Sequence, residues 1–425
     1  GLGMTQDPQL WKNHLRYAAI SDIGMRRDSN HDSHSVELAS DVESWSRRGH
    51  LFLVADGMGA HAAGELASQL AADSIPHLYF KQLELSAPDS LKQAVEDSNS
   101  EINRKGQANQ DFHNMGTTCS VLTLLPQGAV IAHVGDSRVY RLRGGVLEQL
   151  TFDHSLVWEM RASGQSGGDS DLESMIPRNV ITRSLGPYAD VNVDLEGPFP
   201  VEAGDIFLLC SDGLVGEVTD AEIATVLASL PVEESVQALV DLANLRGGPD
   251  NITIIACEIT GSQLATSKTG IAPITVGSRP ASRKSLPFFW ALFMACLLAA
   301  GLMAWVGAWY VVIGLGVISL LSLLMILIKT YGADIGGTII SGGRRFGRAP
   351  YTKTTPITDL SFLDSLLEMI NELRTDATLG LSGAVDEQVL AEANRAKTDG
   401  KLKMAVRSYV RVLTGLVQKL RDSKK

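Results

Sequence analysis

Five aspartates stand where an apolar run meets small residues. Asp56 ends "LFLVAD" and leads into "GMGAHAAGE"; Asp212 follows "IFLLCS" and precedes Gly213. Asp136 follows "AVIAHVG", Asp250 precedes the run "NITIIACEI", and Asp32 lies in "RRDSNHDS". One such acid reads as a turn, since Asp and Gly are what turns prefer. Several in one domain point to carboxylates converging at the mouth of a sheet. That suits hard cations such as Mg2+ and Mn2+, which take oxygen ligands and, for Mg2+, keep several waters. No HExxH pair and no cysteine set is present to hold zinc. Two hard cations about 3.5–4 Å apart bridge and activate one water and clamp a phosphoryl group. Asp56 is the natural bridging ligand. Gly57 lets a backbone carbonyl approach a metal with no side chain in the way.

The elements that must position these acids are legible as period-two and period-3.6 patterns. Strands are expected at 17–21, 51–56, 117–125, 129–135, 138–143, 205–212 and 251–259, and helices at 62–80, 88–107, 154–163, 220–229 and 232–245. The runs 129–135 and 138–143, joined by Asp136 and Ser137, read as a hairpin. Hairpins outnumber βαβ units, so mainly antiparallel sheets with helices outside are expected.

The chain has 425 residues, room for two or three domains, and a formal net charge of −11. The acidic balance excludes a general nucleic-acid binder, which needs cations facing phosphate. Cys119, Cys210, Cys257 and Cys296 sit singly, as small apolar residues of a reducing compartment. "MTQDPQLWKNHLRYAAISD" holds no apolar segment of a secretory signal.

Residues 261–286 form a Ser/Thr/Gly/Pro-rich linker. Residues 287–328 carry no charge, which predicts a transmembrane helical hairpin turning near Gly307, because one straight helix of that length would far exceed the ~30 Å hydrocarbon core. Arg279, Arg283 and Lys284 precede the run, and Lys329, Arg344, Arg345 and Arg348 follow it. The positive-inside rule then places both flanks in the cytoplasm. A basic linker, 329–357, either lies against anionic lipid or is solvated. Residues 358–425 read as a small module of three helices whose apolar stripes need a partner surface, either one another or another protein.

"RRDSNHDS", "VADGMGAHAAGE", "MGTTCSVL", "VGDSRVYRLR", "FDHSLVWEMRASGQ", "PRNVITRSLG", "LLCSDGL" and "GGPDNITII" occur in the order and rough spacing of the metal-dependent, type 2C serine/threonine protein phosphatases, in their bacterial form. The chain resembles that family over about 15–260. The resemblance implies an α+β fold: an α-β-β-α sandwich of two antiparallel sheets flanked by helices. Here it would be preceded by an extension at 1–14 and followed by the hairpin and the helical tail. It implies two ions of Mn2+ or Mg2+, with Asp56 shared between them, the Gly57 carbonyl on the second, and Asp212 and Asp250 on the first. Asp136 matches the aspartate of a third, weaker ion, and Asp32 is expected behind the ligands. Arg27 matches the arginine that holds the substrate phosphate, and 155–183 the flap that influences substrate choice.

The chain departs from the family pattern in two places. His31 stands where Glu is usual, which removes a negative charge near the second ion and leaves the ring as a ligand or as a solvated side chain. Ala60 stands where Gly is usual and fits unless its φ is positive. His61 is a candidate general acid for the leaving alkoxide, against a structural histidine. The expected protein is a membrane-anchored phosphatase of phosphoserine and phosphothreonine in proteins, in the bacterial cytoplasmic membrane, with a cognate kinase as a further partner. The alternative is a pseudophosphatase scaffold that binds phosphoproteins at the membrane, for which His31 is the only support.

Overall fold

The computed structural model describes residues 14–60, 62–163, 180–266, 274–276, 286–331, 338–340, 346–375 and 387–423. His61, the middle of the expected flap (164–179), most of the expected linker and the extension before residue 14 lie outside them. Two compact units are present, one of Gly1–Lys81, Leu91–Ala272 and Arg345–Lys425, the other of Gln82–Ser90 and Pro273–Arg344.

In the first unit the strands are β1 (Leu15–Asp22), β2 (Asp32–Glu37), β3 (His50–Met58), β4 (Gly116–Thr117), β5 (Cys119–Leu125), β6 (Gly128–Val134), β7 (Arg138–Arg143), β8 (Val146–Gln149), β9 (Asp194–Phe199), β10 (Ile206–Cys210) and β11 (Ile252–Ile259). One sheet runs β1-β11-β10-β7-β8, and the other runs β2-β3-β5-β6-β9 with β4 on β3; every pair is antiparallel. Alternation along each strand divides the apolar side chains between two layers. Phe52 and Val54 meet Phe207, Leu209, Ile255 and Cys257 between the sheets. Leu208, Cys210, Ile254 and Ala256 point the other way, into a core shared with helices.

The expected hairpin of 129–135 with 138–143 is corrected. β6 and β7 belong to different sheets. Gly135, at φ +113°, turns the chain out of one sheet and into the other. The true hairpins are β5–β6 and β7–β8, the latter closed by Gly144 and Gly145, both at positive φ. Asp136 therefore sits where the chain crosses between the layers.

The helices of this unit are α1 (Val42–Arg48), α2 (Ala63–Lys81), α3 (Ala87–Ala108, whose first residues lie in the second unit), α4 (Leu156–Ala162), α5 (Asp212–Val215), α6 (Asp220–Ser229) and α7 (Val232–Leu245). α2 packs its small buried face, Ala67, Ala71 and Ile75, on β2 and β3. Thr219 and Glu222 form a capping box that starts α6.

The second unit holds α8 (Leu286–Trp305) and α9 (Trp309–Tyr331), which pack on each other across a turn at Gly307 (φ +80°). The strands β12 (Ile274–Val276) and β13 (Thr338–Ile340) pair antiparallel. The expectation that this pair crosses a membrane is corrected: among the described residues no helix is long and apolar enough to do so. The multi-pass placement, its orientation and its lipid partner fall with that expectation.

The C-terminal segment belongs to the first unit. β14 (Thr352–Thr354) joins the first sheet beside β8, with Lys353 paired to Glu148 at 3.0 Å. Three helices follow, α10 (Ser361–Thr375), α11 (Glu387–Thr398) and α12 (Leu402–Ser423); α12 packs on α6 and α7, and α10 and α11 pack on α12. Their stripes, including Leu363, Leu366, Ile370, Tyr409, Leu413 and Leu416, share one core with Ile223, Leu227, Val236 and Leu239. The apolar faces that needed a partner find it in one another and in the first unit.

Candidate active site

The converging acids meet where the two sheets open. β2 and β3 pair with Asp32 opposite Asp56, so these carboxylates start from neighbouring strands of one sheet. Asp212 comes from the other sheet, as the first residue of α5 after β10. The Ser211 hydroxyl ties the sheets together: it donates to Asp32 Oδ2 at 2.7 Å and accepts from the Thr253 N–H at 3.0 Å. Asp250 stands just before β11. Asn251 beside it accepts from the His31 N–H at 2.8 Å and donates to the Ile23 and Ser29 carbonyls. Arg27 Nη2 donates to Asp250 Oδ2 at 2.7 Å and is half exposed.

Gly57 is bare for a reason beyond metal access. A Cβ there would lie 2.1 Å from the Gly64 carbonyl oxygen and 2.6 Å from that of His31. The Gly57 N–H donates to that same His31 carbonyl at 3.1 Å. Backbone thus packs on backbone between β3, the β2 entry and the start of α2. Gly213 serves likewise, since its Cβ would lie 2.0 Å from the Asn251 carbonyl oxygen. The His31 ring bonds Ser29 Oγ at 2.8 Å through Nε2. Ala60 is not among the described non-glycine residues of positive φ, of which Asn114 is the only one, so its methyl group is tolerated.

Burial first, and then like charge, push these carboxyls upward. Asp56 is raised well above the ordinary range by burial, then by Asp32, Asp212 and Asp136. Asp136 is raised by burial and then by Asp212 and Asp153. Asp212 is raised by burial and then by Asp250. Asp32 is raised by burial although Ser211 bonds it. Asp32 Oδ1, Asp136 Oδ1 and Asp212 Oδ1 are buried with no hydrogen-bond partner. Clustered acids with unsatisfied oxygens suit a bound cation, and the all-oxygen donor set fits Mg2+ or Mn2+. Among the described residues no three His, Cys, Asp or Glu side chains form a finished cage. Hard ions that keep waters require none.

Sequence reasoning named the acids and Arg27 but missed their supports. Ser211 and Asn251 each adjoin a singled-out aspartate. Thr118, in the "MGTT" to which no chemistry was given, accepts from the Asp56 N–H through Oγ1 at 2.9 Å and bonds Ser137 Oγ at 2.6 Å. Adjacency along the chain was the available signal for the first two. Thr118 needed the cross-strand register. A groove of about 290 Å3 beside the acids is lined by Asp136, Asp212, Arg138, Ser155, Trp158 and Arg161. Arg138 forks onto Asp153 and lies over the Trp158 ring at 5.6 Å, so the start of the expected flap is anchored to the sheet.

Comparison with known proteins gives the same picture. The profile of the family described as protein phosphatase 2C matches residues 30–245. A putative protein phosphatase 2C-type of Streptococcus pyogenes is 38% identical over 246 residues, covering 56% of this chain and 96% of that protein. The serine/threonine protein phosphatase PstP of Mycobacterium tuberculosis is 36% identical over 246 residues, covering 58% of this chain and 45% of that one. A crystal structure of PstP superposes with a TM-score of 0.51 at 36% identity, over 58% of this chain and 99% of the crystallised one.

Proposed function

The chain belongs to the protein phosphatase 2C family, and on that premise we propose that Asp56, Asp212 and Asp250, with the Gly57 carbonyl, hold the metal ions with which it hydrolyses phosphoserine and phosphothreonine in proteins. The enzyme is a protein-serine/threonine phosphatase of the bacterial type that uses Mn2+ or Mg2+. The observation that supports the residue assignment is the convergence of three acids at the sheet mouth: the charge of Asp212 raises Asp56, the charge of Asp250 raises Asp212, and the buried Asp212 Oδ1 has no hydrogen-bond partner.

Two hard cations, when bound, supply the Lewis acidity that deprotonates water and neutralises phosphoryl charge. The protein's residues do the rest. Asp56 is the carboxylate on which the other acids converge, and its backbone is pinned by Thr118. Asp136 offers an unpartnered oxygen for a third, weaker ion. Asp32 is held by Ser211 behind the ligands. Arg27 offers a planar, permanently charged fork to the substrate phosphate, and Asp250 aims it. Phosphoryl transfer needs little covalent help, so positioning and electrostatics carry most of the rate.

The test is turnover of a phosphothreonine peptide by the full chain with Mn2+. Asp56→Asn should lower kcat by about 10²-fold or more, the scale of losing a central electrostatic group. If the wild type shows no turnover, or the variant matches an active wild type, the assignment fails. In the first case a pseudophosphatase that binds phosphoproteins, with no membrane placement, replaces it.

A further inference from the structure

The last helix reaches the base of the phosphate-binding loop. α12 lies on α6 and α7 through Val406, Tyr409, Leu413 and Leu416. Two polar contacts pin its first half: Arg407 Nε donates to the Ser229 carbonyl at 3.0 Å, and Arg411 forks onto Glu234 at 2.8 and 2.9 Å. Near its end, Arg421 Nη2 lies 2.9 Å from Asp241 Oδ1 and 3.7 Å from Asp22 Oδ2. It therefore bridges α7 and the last residue of β1.

Both partners are placed to matter. The Asp241 side chain is 2% exposed, and beyond Arg421 it is bonded by Gln237 at 2.9 Å while its Oδ2 has no partner. A buried carboxylate that loses its cation is strongly disfavoured. Asp22 uses its other oxygen, Oδ1, to accept from the Gly24 N–H at 2.9 Å and from Asn244 Nδ2 at 3.0 Å. Gly24, at φ +80°, is pressed so close to Asp250 that a Cβ would lie 2.1 Å from the Asp250 carbonyl oxygen. The Met25 N–H donates to the Gly248 carbonyl at 2.8 Å. Two residues later Arg27 bonds Asp250. A series of contacts thus runs from the end of α12 to the turn that presents Arg27, its longest step the 3.7 Å ion pair between Arg421 and Asp22.

We propose that Arg421 is a positioning residue for the Arg27 loop, through which the docked C-terminal helices set the enzyme's affinity for the substrate phosphate. This rests on the reading of Arg27 as the phosphate-binding arginine. Arg421 lies in the C-terminal helices, outside the family match of 30–245. The docked helices thus add a control on the loop that the matched region does not contain.

The experiment measures kcat and KM on a phosphothreonine peptide with Mn2+, and the inhibition constant of inorganic phosphate, for the full chain and four variants. Arg421→Ala should raise KM and the phosphate inhibition constant together by about 3- to 10-fold, the scale of coupling through such a network, with kcat little changed. Arg421→Lys, which keeps the charge, should restore most of both. Arg411→Ala cuts an ion pair on the same helix away from the loop and should leave both at the wild-type value. The inference is overturned if Arg421→Ala matches the wild type, if Arg411→Ala produces the same rise, or if Arg421→Lys fails to restore affinity. The last criterion decides the case in which the alanine variant is unfolded. Arg27→Ala separates the two levels of the argument. If it leaves both constants unchanged, the reading of Arg27 fails. If it raises them while Arg421→Ala does not, only the role of Arg421 fails.

Discussion

Gly57→Ala tests whether the site is built by backbone packing. The new Cβ would meet the Gly64 carbonyl oxygen at 2.1 Å and its carbon at 2.5 Å, with the His31 carbonyl oxygen at 2.6 Å on another side. Neither neighbour is a flexible side chain that can swing away. Opening a 2.1 Å approach to ordinary contact, which begins at 3.4 Å, needs about 1.3 Å of movement of β3 against α2, and overpacking of this kind costs about 1–3 kcal/mol. At about 2–4 °C per kcal/mol for a domain of this size, Tm should fall by about 2–12 °C. The same shift displaces Asp56 on the preceding residue, and a 1 Å misplacement in a catalytic constellation costs about 10²-fold in rate. Thermal denaturation of the metal-free protein reads the packing, and kcat with saturating Mn2+ reads the displacement. Alanine keeps the Gly57 carbonyl, so if that carbonyl were the whole reason for glycine, metal-free Tm would not move. A variant with unchanged Tm and unchanged kcat refutes the packing argument.

Two further outcomes follow from the buried groups. Burial holds His50 down at about 4 and His133 at about 3, against about 6.5 in an unfolded chain. Their contribution to stability is complete above pH 6.5 and is lost as pH falls toward those values, because the unfolded chain takes protons that the fold refuses. Urea midpoints at pH 7.5 and 4.5 should therefore differ less for His50→Asn than for the wild type; an equal difference removes His50 from the account. Leu366 is fully buried in the core shared by the C-terminal helices with α6 and α7. Leu366→Ala should cost about 2–5 kcal/mol in urea unfolding of the full chain, whereas a loss well below 1 kcal/mol would mean that those helices rest on α6 and α7 without sharing their core.

What could be read from the chain in advance has a physical boundary. The helix patterns at 62–80, 220–229 and 232–245 lie within a residue or so of α2, α6 and α7, because each has a continuous apolar stripe. β3, β10 and β11 were visible as dense apolar runs buried on both faces. The assignment of strands to sheets was not visible. Asp136 and Ser137 look like a hairpin turn locally, and only the pairing of β6 with β5 and of β7 with β10 shows that the chain changes layers there. β14 is three polar residues, Thr-Lys-Thr, in a basic stretch, and nothing in Thr352–Thr354 announces a strand until β8 offers it an edge. In the site, each acid was legible as a carboxylate beside a small residue, but Thr118, Ser211 and Asn251 act through contacts between distant segments. The uncharged run at 287–328 forms the helical pair α8 and α9, but the inference from absence of charge to membrane crossing went beyond what the described residues support.

Anomalous diffraction at the manganese edge, from crystals of the full chain equilibrated with Mn2+, tests the central claim most directly. The account predicts strong peaks at the sheet mouth, one against Asp56, Asp212 and Asp250 and one against Asp56 and the Gly57 carbonyl. Absence of anomalous density there, at a Mn2+ concentration that supports turnover in solution, would contradict it.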